Sequence, residues 1–544
     1  MEQNYDVVIL GSGAAGLTAA LASAVEGASV AVFEKAELLG GSTALSGAGI
    51  WIPGNQPAAA DGVPDSTEKG LEYLLSLSNG MILPELARAL IEGGPRFIDF
   101  IEANTELRLA YTPGYPDYHP ERPGGLPGGG RTLEPGLVSF EGIEEWIDRI
   151  GGDIRRIRMS EMPLAGGTGV VPPDVLAERE ARNVEGLGRA LVGGLLKAAL
   201  AHGVVVETGA RGVRLLVEDG CVVGVELETS QGPRTVRGGA VVLATGGFEY
   251  DRDLVRDFLR GPLERGIGAA SNTGDGLRMA MRIGAQLGNM REAWWSPVIT
   301  TPGTRPDGAA NGLLISRERS LPGTIMVNRT GKRFANEAAN YNSFGGAFHD
   351  LDETNLDYPN IPAYLIISQS TIDRYGVFGG GPGSPAPDWL LRADTLEELA
   401  EQLGIEAGNL LATVERFNAN AREGVDPDFS RGVSAYDRFP GGRSGLDPAS
   451  PFATLGPLEQ APFYGALVES SALGTKGGPR TDREGRVLDV DGDVIPGLYA
   501  AGNVMASPSG MVYGGAGGTL AVAGVFGMYA GRAAVLDRAA AGRS

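Results

Sequence analysis

A glycine-rich turn between a strand pattern and a helix pattern near the N-terminus limits the possible folds most. Residues 11–16 read GSGAAG, which fits G-x-G-x-x-G, and the apolar run at residues 5–10 suits a buried parallel strand. In this motif the first glycine makes a tight turn, the second lets backbone approach a pyrophosphate, and the third packs helix on sheet. The pattern predicts a dinucleotide site at a helix N-terminus, where the helix dipole favours phosphate.

The residues that follow complete a βαβ unit. Small residues at 17–25 predict a helix, and the strand pattern at 29–33 ends in Glu34. A carboxylate at that position accepts hydrogen bonds from ribose hydroxyls, which favours an unphosphorylated adenosine ribose. Strand patterns at 204–207, 222–228 and 240–244 alternate with a helix pattern at 187–201, so we predict an α/β, Rossmann-like doubly wound domain.

The pattern changes between residues 291 and 455, where Pro- and Gly-rich stretches surround a polar helix at about 395–403. Strand, glycine turn and small-residue helix return at 497–532. We therefore predict a nucleotide domain that is discontinuous in sequence, formed by residues 1–290 and 456–544, with an inserted α+β catalytic (cap) domain at 291–455. The run at 111–136 is predicted to be a loop, either ordered over a site or mobile at the surface.

Composition excludes several classes of protein. The net charge of −21 disfavours a nucleic-acid partner, because phosphate binding needs clusters of Lys and Arg. Cys221 is the sole cysteine, so no internal disulfide or cysteine-ligated cluster is possible, and the three histidines lack metal-ligand spacing. Neither a signal peptide nor an uninterrupted run of roughly 18 apolar residues is visible. We predict a cytoplasmic protein with no metal and no integral membrane segment.

Four further motifs follow the N-terminal turn in order. They are GGST at 40–43, ATGG at 244–247, NTGDG at 272–276 and GLYAAGN at 497–503. Together the five motifs resemble the fumarate reductase and 3-ketosteroid dehydrogenase flavoprotein superfamily, and they run nearly from end to end. The resemblance implies one bound FAD. Members that attach FAD covalently use a histidine shortly after the double glycine, and none occurs between Met1 and Tyr118, so non-covalent FAD is expected.

The motifs and the resemblance together define the predicted FAD contacts. These are Gly11, Gly13, Ala14, Ala15, Gly16, Glu34, Lys35, Gly41, Ser42, Thr43, Ser46, Gly47, Val206, Ala244, Thr245, Gly246, Asn272, Asp275, Gly502, Asn503, Gly518, Thr519 and Leu520. No second strand-linked glycine fingerprint is visible for a nicotinamide cofactor, so electrons are expected to pass to an external acceptor.

Within the superfamily the chain most closely resembles 3-ketosteroid Δ1-dehydrogenases. The matches are PDYHP at 116–120, NEAANY at 336–341 and the turn at 513–517. The resemblance implies that the Tyr513 hydroxyl and the Gly517 N–H polarise a ketone. It also implies that Tyr341 removes the α-proton with help from Tyr118, while the β-carbon gives a hydride to flavin N5. Pre-placed donors of this kind make a weakly acidic α-proton removable.

Several alternatives remain open from the sequence. Fumarate reductases carry an arginine where Tyr513 stands, and residues 472–475 replace their histidine-bearing stretch, so a neutral ketone, steroid-like in the leading hypothesis, is expected. Gly514 departs from the proline usual in the steroid enzymes. The alternatives are a smaller cyclic ketone as substrate, a fumarate reductase-like ene reductase, and a non-catalytic flavin sensor or scaffold. Tyr111 and Tyr115 compete with Tyr118 for the catalytic position.

Overall fold

The computed structural model describes residues 3–162, 165, 167, 169–540 and 542. In this part of the chain the strands are β1 (Gln3–Leu10), β2 (Val30–Phe33), β3 (Ile50–Trp51), β4 (Leu109–Pro113), β5 (Gly129–Pro135), β6 (Val138–Ser139), β7 (Val184–Glu185), β8 (Val205–Glu207), β9 (Ala210–Glu218), β10 (Cys221–Thr229), β11 (Gly232–Leu243), β12 (Arg265–Gly266), β13 (Leu287–Gly288), β14 (Ala293–Thr304), β15 (Ala310–Leu314), β16 (Thr324–Asn328), β17 (Ala363–Ser368), β18 (Leu391–Ala393), β19 (Phe463–Thr475), β20 (Gly478–Pro479), β21 (Arg486–Leu488) and β22 (Val494–Ala500).

The α-helices of the same part are α1 (Ala14–Val25), α2 (Gly41–Leu45), α3 (Gln56–Ala60), α4 (Thr67–Ser76), α5 (Pro84–Asn104), α6 (Pro173–Ala181), α7 (Leu187–Ala201), α8 (Arg252–Phe258), α9 (Asp275–Arg282), α10 (Tyr341–Gly346), α11 (Gln369–Tyr375), α12 (Leu396–Leu403), α13 (Ala407–Arg422), α14 (Ala435–Gly442) and α15 (Gly518–Ala540).

The first sheet has the order β21-β22-β11-β1-β2-β8, and β9 and β10 extend it from β11. β1 runs parallel to both β2 and β11, and β11 runs parallel to β22. β1 is buried on both faces, as its continuous apolar run predicts. The strands and helices predicted here are confirmed to within a few residues, apart from β11, which begins well before residue 240. Because β22 lies beside β11, both ends of the chain build this layer.

Helix α15 closes one face of the first sheet by packing on α1. Gly527 and Gly531 face the backbone of Ala15 and Ala19, and a side chain at either glycine would overlap a carbonyl oxygen of α1. In the described residues α15 is the one helix that is long and apolar enough to cross a membrane, but 72% of its most apolar stretch is buried inside the protein. Its small apolar residues serve close helix packing, and one such helix is weak evidence for a membrane span.

The second sheet has the order β15-β14-β19-β17-β16, with β12 and β18 also paired to β19. Most of its pairs are antiparallel. β19 is its central strand, although it begins after the predicted boundary at residue 455. The hydrogen bonds of β19 therefore carry the second layer to Thr475, about 20 residues beyond that boundary.

The predicted loop at 111–136 contains two strand segments. β4 and β5 pair with each other and β5 pairs with β3, which gives a three-stranded sheet. Arg131 anchors the segment because its buried guanidinium bonds Asp65 at 2.6 Å and Asp117 at 2.7 Å. The prediction of a loop is thus corrected at both ends, since β4 and β5 are paired strands and every residue of β5 is buried.

Candidate active site

One cavity of 860 Å³ extends from the glycine-rich turn to a group of tyrosines. Its wall includes residues from both sheets, from the turn after β1 to the hairpin of β14 and β15. The nucleotide motif and the tyrosines named above therefore share one continuous space.

The glycine turn has the geometry that the motif predicts. Gly11 has φ of +105°, and a side chain there would overlap the carbonyl oxygen of Ala244. A side chain at Gly16 would overlap the carbonyl oxygen of Gly11, so this glycine packs helix on strand and lies outside the cavity wall. The turn leaves room for a phosphate at the N-terminus of α1, and its residues fit a dinucleotide.

Glu34 is held in place by the turn that it faces. Its Oε2 accepts hydrogen bonds from the N–H of Ser12 at 3.0 Å and from the Ser12 hydroxyl at 2.7 Å. Its Oε1 accepts from the N–H of Ala36 at 2.9 Å. The carboxylate is buried at the cavity wall, where Oε1 keeps a further lone pair for a ribose hydroxyl.

Asp275 closes the same end of the cavity. Its carboxylate pairs with Lys35 at 2.9 Å and with Arg211 at 2.7 Å. These ion pairs link the segment after β2, strand β9 and helix α9 around the wall. Asp275 and Lys35 thus lie where a cofactor contact was predicted, and the Asp275 carboxylate is already paired with two cations.

A polar network joins the GGST and NTGDG motifs. The Ser42 hydroxyl accepts from the amide of Asn272 at 3.0 Å and from the N–H of Ala269 at 2.9 Å. The Thr43 hydroxyl accepts from the N–H of Ala14 at 3.0 Å. The two Ser42 bonds connect segments more than 200 residues apart, and together the three bonds hold both motifs against one wall of the cavity.

Twenty of the predicted FAD contacts line the cavity, and Gly16, Val206 and Gly518 do not. Val206 lies in β8, paired with Val32 of β2, and Gly518 faces the Tyr513 ring. The cavity wall also includes residues that sequence reasoning missed: Ser12, Ala44, Ala48, Gly49, Ala210, Gly212, Ala501 and Ala523. The small size of all of these residues was the only available signal.

Tyr118 lies at the centre of the tyrosine group. Its ring centroid is 5.4 Å from that of Tyr341, 5.1 Å from Tyr513 and 5.1 Å from Tyr436, each edge to face. Tyr341 and Tyr513 are 5.6 Å apart. Tyr115 and Tyr118 both line the cavity and Tyr111 does not, and of the three Tyr118 contacts both other predicted catalytic tyrosines.

The Tyr118 side chain has an unsatisfied polar group. Its hydroxyl is buried and has no hydrogen-bond partner among the described residues. Its backbone N–H, by contrast, donates to the carbonyl of Gly514 at 3.0 Å, which ties this segment to the turn that bears Tyr513. A buried hydroxyl without a partner is costly, so the site suits a ligand that completes the bonding.

Gly517 must be glycine. It has φ of +100°, and a side chain would overlap the backbone of Gly49. In the described chain no protein acceptor takes up its N–H. Gly517 and Tyr513 line the same cavity, so a phenol and an unpaired backbone amide are both available to one ligand.

The sequence model of a protein family, the FAD binding domain family, matches residues 6–520. The chain belongs to this family of flavoproteins. FAD is therefore the cofactor, and the protein is an FAD-dependent oxidoreductase with a mixed α/β flavoprotein fold. The prediction of an FAD enzyme is confirmed.

Two curated relatives of this flavoprotein cover nearly its whole length. It is 44% identical to 4-oxocyclohexanecarboxylate 2-dehydrogenase of Sinomonas cyclohexanicum, over 97% of this chain and 92% of the relative. It is 40% identical to 3-oxosteroid 1-dehydrogenase of Mycobacterium tuberculosis, over 97% and 98%. The predicted resemblance to the ketosteroid dehydrogenases is confirmed.

A solved structure shares the fold throughout. It is the 3-ketosteroid Δ1-dehydrogenase of Sterolibacterium denitrificans in complex with 1,4-androstadiene-3,17-dione, with a TM-score of 0.89 and 32% identity. The match covers 98% of this flavoprotein and 100% of the other chain. At this coverage the shared fold includes both sheets.

Proposed function

We propose that this flavoprotein desaturates the α,β bond of a cyclic ketone. The observation that carries the proposal is the shared cavity wall of Tyr513, Gly517, Tyr341 and Tyr118. A phenol and a backbone amide are the two donors that a ketone oxygen needs as it gains negative charge. The phenols of Tyr341 and Tyr118 adjoin Tyr513, where they can take up the proton that the substrate releases.

Each residue has one task in the reaction. Tyr513 and the Gly517 N–H bind the ketone oxygen and stabilise the developing enolate. Tyr341, as phenolate, takes the α-proton, and Tyr118 supports it as a neighbouring hydroxyl. Bound FAD supplies the acceptor for the hydride that leaves the β-carbon. The substrate loses one proton and one hydride, and a C=C bond forms between the two carbons.

The two layers have different functions: one binds the cofactor and the other covers the substrate. The first sheet and α15 form the Rossmann-like cofactor domain, and the second sheet forms a cap that carries Tyr341. Its hydrogen bonds support a cap that extends to Thr475 rather than 455. An external electron acceptor and a cytoplasmic location remain predictions, as does the absence of nucleic-acid, metal and membrane partners.

A 3-ketosteroid is the first candidate substrate. The 3-oxosteroid 1-dehydrogenase relative and the androstadienedione complex support it, together with the tyrosine and glycine arrangement. The wall around Tyr118 is apolar and aromatic, since Tyr115, Phe439 and Leu314 pack in the same cluster. Such a wall suits a hydrophobic ring system.

A smaller cyclic ketone that bears a carboxylate is the second candidate. Arg317 favours it, because this cavity-lining guanidinium donates only to neutral groups: the carbonyls of Tyr375 at 2.7 Å and Gly376 at 3.0 Å, and the Ser444 hydroxyl at 3.3 Å. It makes no ion pair with the carboxylates of the described chain, so an anionic substituent could pair with it. The 4-oxocyclohexanecarboxylate 2-dehydrogenase relative supports this candidate.

One assay separates the candidates. Purified holoenzyme is mixed with a dye acceptor and either a 3-ketosteroid or 4-oxocyclohexanecarboxylate, and dye bleaching and the enone product are measured. Arg317→Gln should lower kcat/KM for the keto acid alone if that substrate is correct. No desaturation of any steroid or cyclohexanone would overturn the proposal, and rapid reoxidation of the reduced enzyme by fumarate would favour an ene reductase instead.

The proposed base predicts an alkaline activity profile. Burial raises the pKa of Tyr341 well above its ordinary value of 10.0, and the neighbouring Tyr513 raises it further. Only a small fraction of the phenol is ionised at neutral pH, and that fraction grows about tenfold per pH unit below the pKa. We expect kcat/KM to rise from neutral to alkaline pH in a steady-state pH series. A flat or acidic profile would contradict Tyr341 as the base.

We expect the FAD to be released on denaturation. The described residues of the cavity wall include no histidine or cysteine to which flavin could be attached. After acid precipitation and filtration, the yellow colour should be found in the filtrate at one FAD per chain. The opposite result, colour retained in the washed pellet, would show a covalent link.

A further inference from the structure

The segment that bears Tyr513 has little structure of its own. Residues 505–517 join a short 3-10 turn to α15 without a strand or helix, and they include Gly510, Gly514, Gly515 and Gly517. Glycine-rich backbone has high conformational freedom, so the position of the phenol must be set by contacts from outside the segment.

Lys476 contacts this segment at two points. Its backbone carbonyl accepts from the N–H of Ser507 at 3.0 Å, and its ammonium donates to the carbonyl of Val512 at 2.6 Å. Val512 directly precedes Tyr513, so this second bond fixes the peptide plane from which the phenol projects. Lys476 itself follows β19 and is tied to the carbonyl of Glu292 by its own N–H at 2.9 Å.

A second path leads from the same ammonium to the Tyr513 ring. The Lys476 nitrogen lies 3.9 Å from the centroid of the Trp294 ring, and Trp294 contacts Tyr513 edge to face at 4.7 Å. The Trp294 N–H donates to Asn503 at 3.0 Å, which fixes the indole in its plane. The cation therefore braces Tyr513 through the backbone and through the ring.

The free-energy cost of burying the Lys476 ammonium indicates that this side chain has a function. Lys476 is 0% exposed, and its ammonium makes no ion pair with the carboxylates of the described residues. Burial lowers the pKa of Lys476 to about 7, while the charge of Glu292 opposes that change. Above that pH the neutral amine still has an N–H to donate to the carbonyl of Val512, so the backbone contact does not depend on the charge. A buried cation held by a carbonyl and an indole face is expensive to retain for stability alone.

We propose that Lys476 is a positioning residue that orients the Tyr513 phenol toward the ketone oxygen, acting through Val512 and Trp294. This inference rests on the proposed function of Tyr513. Removing the ammonium should let the phenol move away from its position, which weakens the donor that acts in the transition state. The loss should appear in kcat more than in KM.

The test is a double-mutant cycle of Lys476→Met and Tyr513→Phe, measured on FAD-loaded protein with the cyclic ketone that gives turnover. We expect Lys476→Met to lower kcat about 10-fold or more, with KM changed less than about threefold and with one FAD per chain retained. In the Tyr513→Phe background the same change should cost less than about twofold. Lys197→Met is the control, because Lys197 pairs with Glu106 at the surface, and it should leave kcat unchanged.

Additive losses in the cycle would overturn the inference, because Lys476 would then act independently of Tyr513. If Lys476→Met does not yield FAD-loaded protein, Lys476→Arg is used in the same cycle, since it keeps the charge but displaces the donor. A partial loss of kcat that disappears in the Tyr513→Phe background would support the inference, and one that persists would overturn it. A Tyr513→Phe variant with full activity would instead refute the proposed function.

Discussion

Replacing Tyr341 with Phe should lower kcat by about 10³-fold, because a positioned general base contributes roughly 10²- to 10⁴-fold. The ring would remain between Tyr118 and Tyr513, whose centroids lie 5.4 Å and 5.6 Å away, so packing is conserved and only the proton acceptor is lost. Steady-state turnover with a dye acceptor measures the effect. The residual activity should also lose its rise with pH, since the group responsible for that rise is gone.

The matched control is Tyr464→Phe. Tyr464 is also buried, but it does not line the cavity, and its hydroxyl donates to Gln369 of α11 at 2.6 Å. Because Tyr464 lies away from the cavity, we expect the kcat of Tyr464→Phe to stay within about twofold of that of the unmodified enzyme. A Tyr341→Phe variant that keeps more than a tenth of the activity would exclude Tyr341 as the base.

Replacing Tyr513 with Phe should lower turnover by a hundredfold or more. An oxyanion donor is worth about 3 kcal/mol of barrier, and Gly517 alone would then face the developing charge. Among the described residues the Tyr513 hydroxyl has one long hydrogen bond, 3.4 Å from the Thr519 hydroxyl, so its removal leaves few groups unsatisfied. The protein should stay folded and yellow, which visible absorbance and thermal unfolding can verify.

Tyr499→Phe is the control for this variant. Tyr499 is equally buried, its hydroxyl donates to Asp537 of α15 at 2.8 Å, and neither residue lines the cavity. It should lose some thermal stability but no turnover, the reverse of Tyr513→Phe. A loss of less than about tenfold in Tyr513→Phe would remove this phenol from the oxyanion site and leave the FAD assignment intact.

The cofactor half of the molecule could be predicted well because its signals are local. Gly11 needs a left-handed backbone angle and Glu34 ends a strand, and both requirements are visible in neighbouring residues. Three predicted contacts are exceptions, since they lie close in sequence to cavity-lining residues but outside the wall. Gly16 packs on Gly11, Val206 pairs with Val32, and Gly518 faces the Tyr513 ring.

The second layer was harder to delimit. β19 resembles a strand of either sheet in its sequence, and only its pairing with β14 and β17 assigns it to the second. The two ends of the segment at 111–136 similarly became strands through pairing. β5 pairs with β3, which lies about 80 residues earlier, and β4 pairs with β5. Pairing partners are chosen by long-range packing, which no short stretch of sequence records.

By itself the sequence determined the nucleotide turn, the acidic strand end, the order of the FAD motifs and, through resemblance, the set of candidate tyrosines. Tertiary structure alone decided that Tyr118 rather than Tyr111 meets Tyr341 and Tyr513, and that Lys476 reaches Val512. The physical reason is the separation in sequence of the residues that interact. Backbone angles and strand ends depend on adjacent residues, whereas contacts between segments hundreds of residues apart depend on how both sheets and α15 pack together.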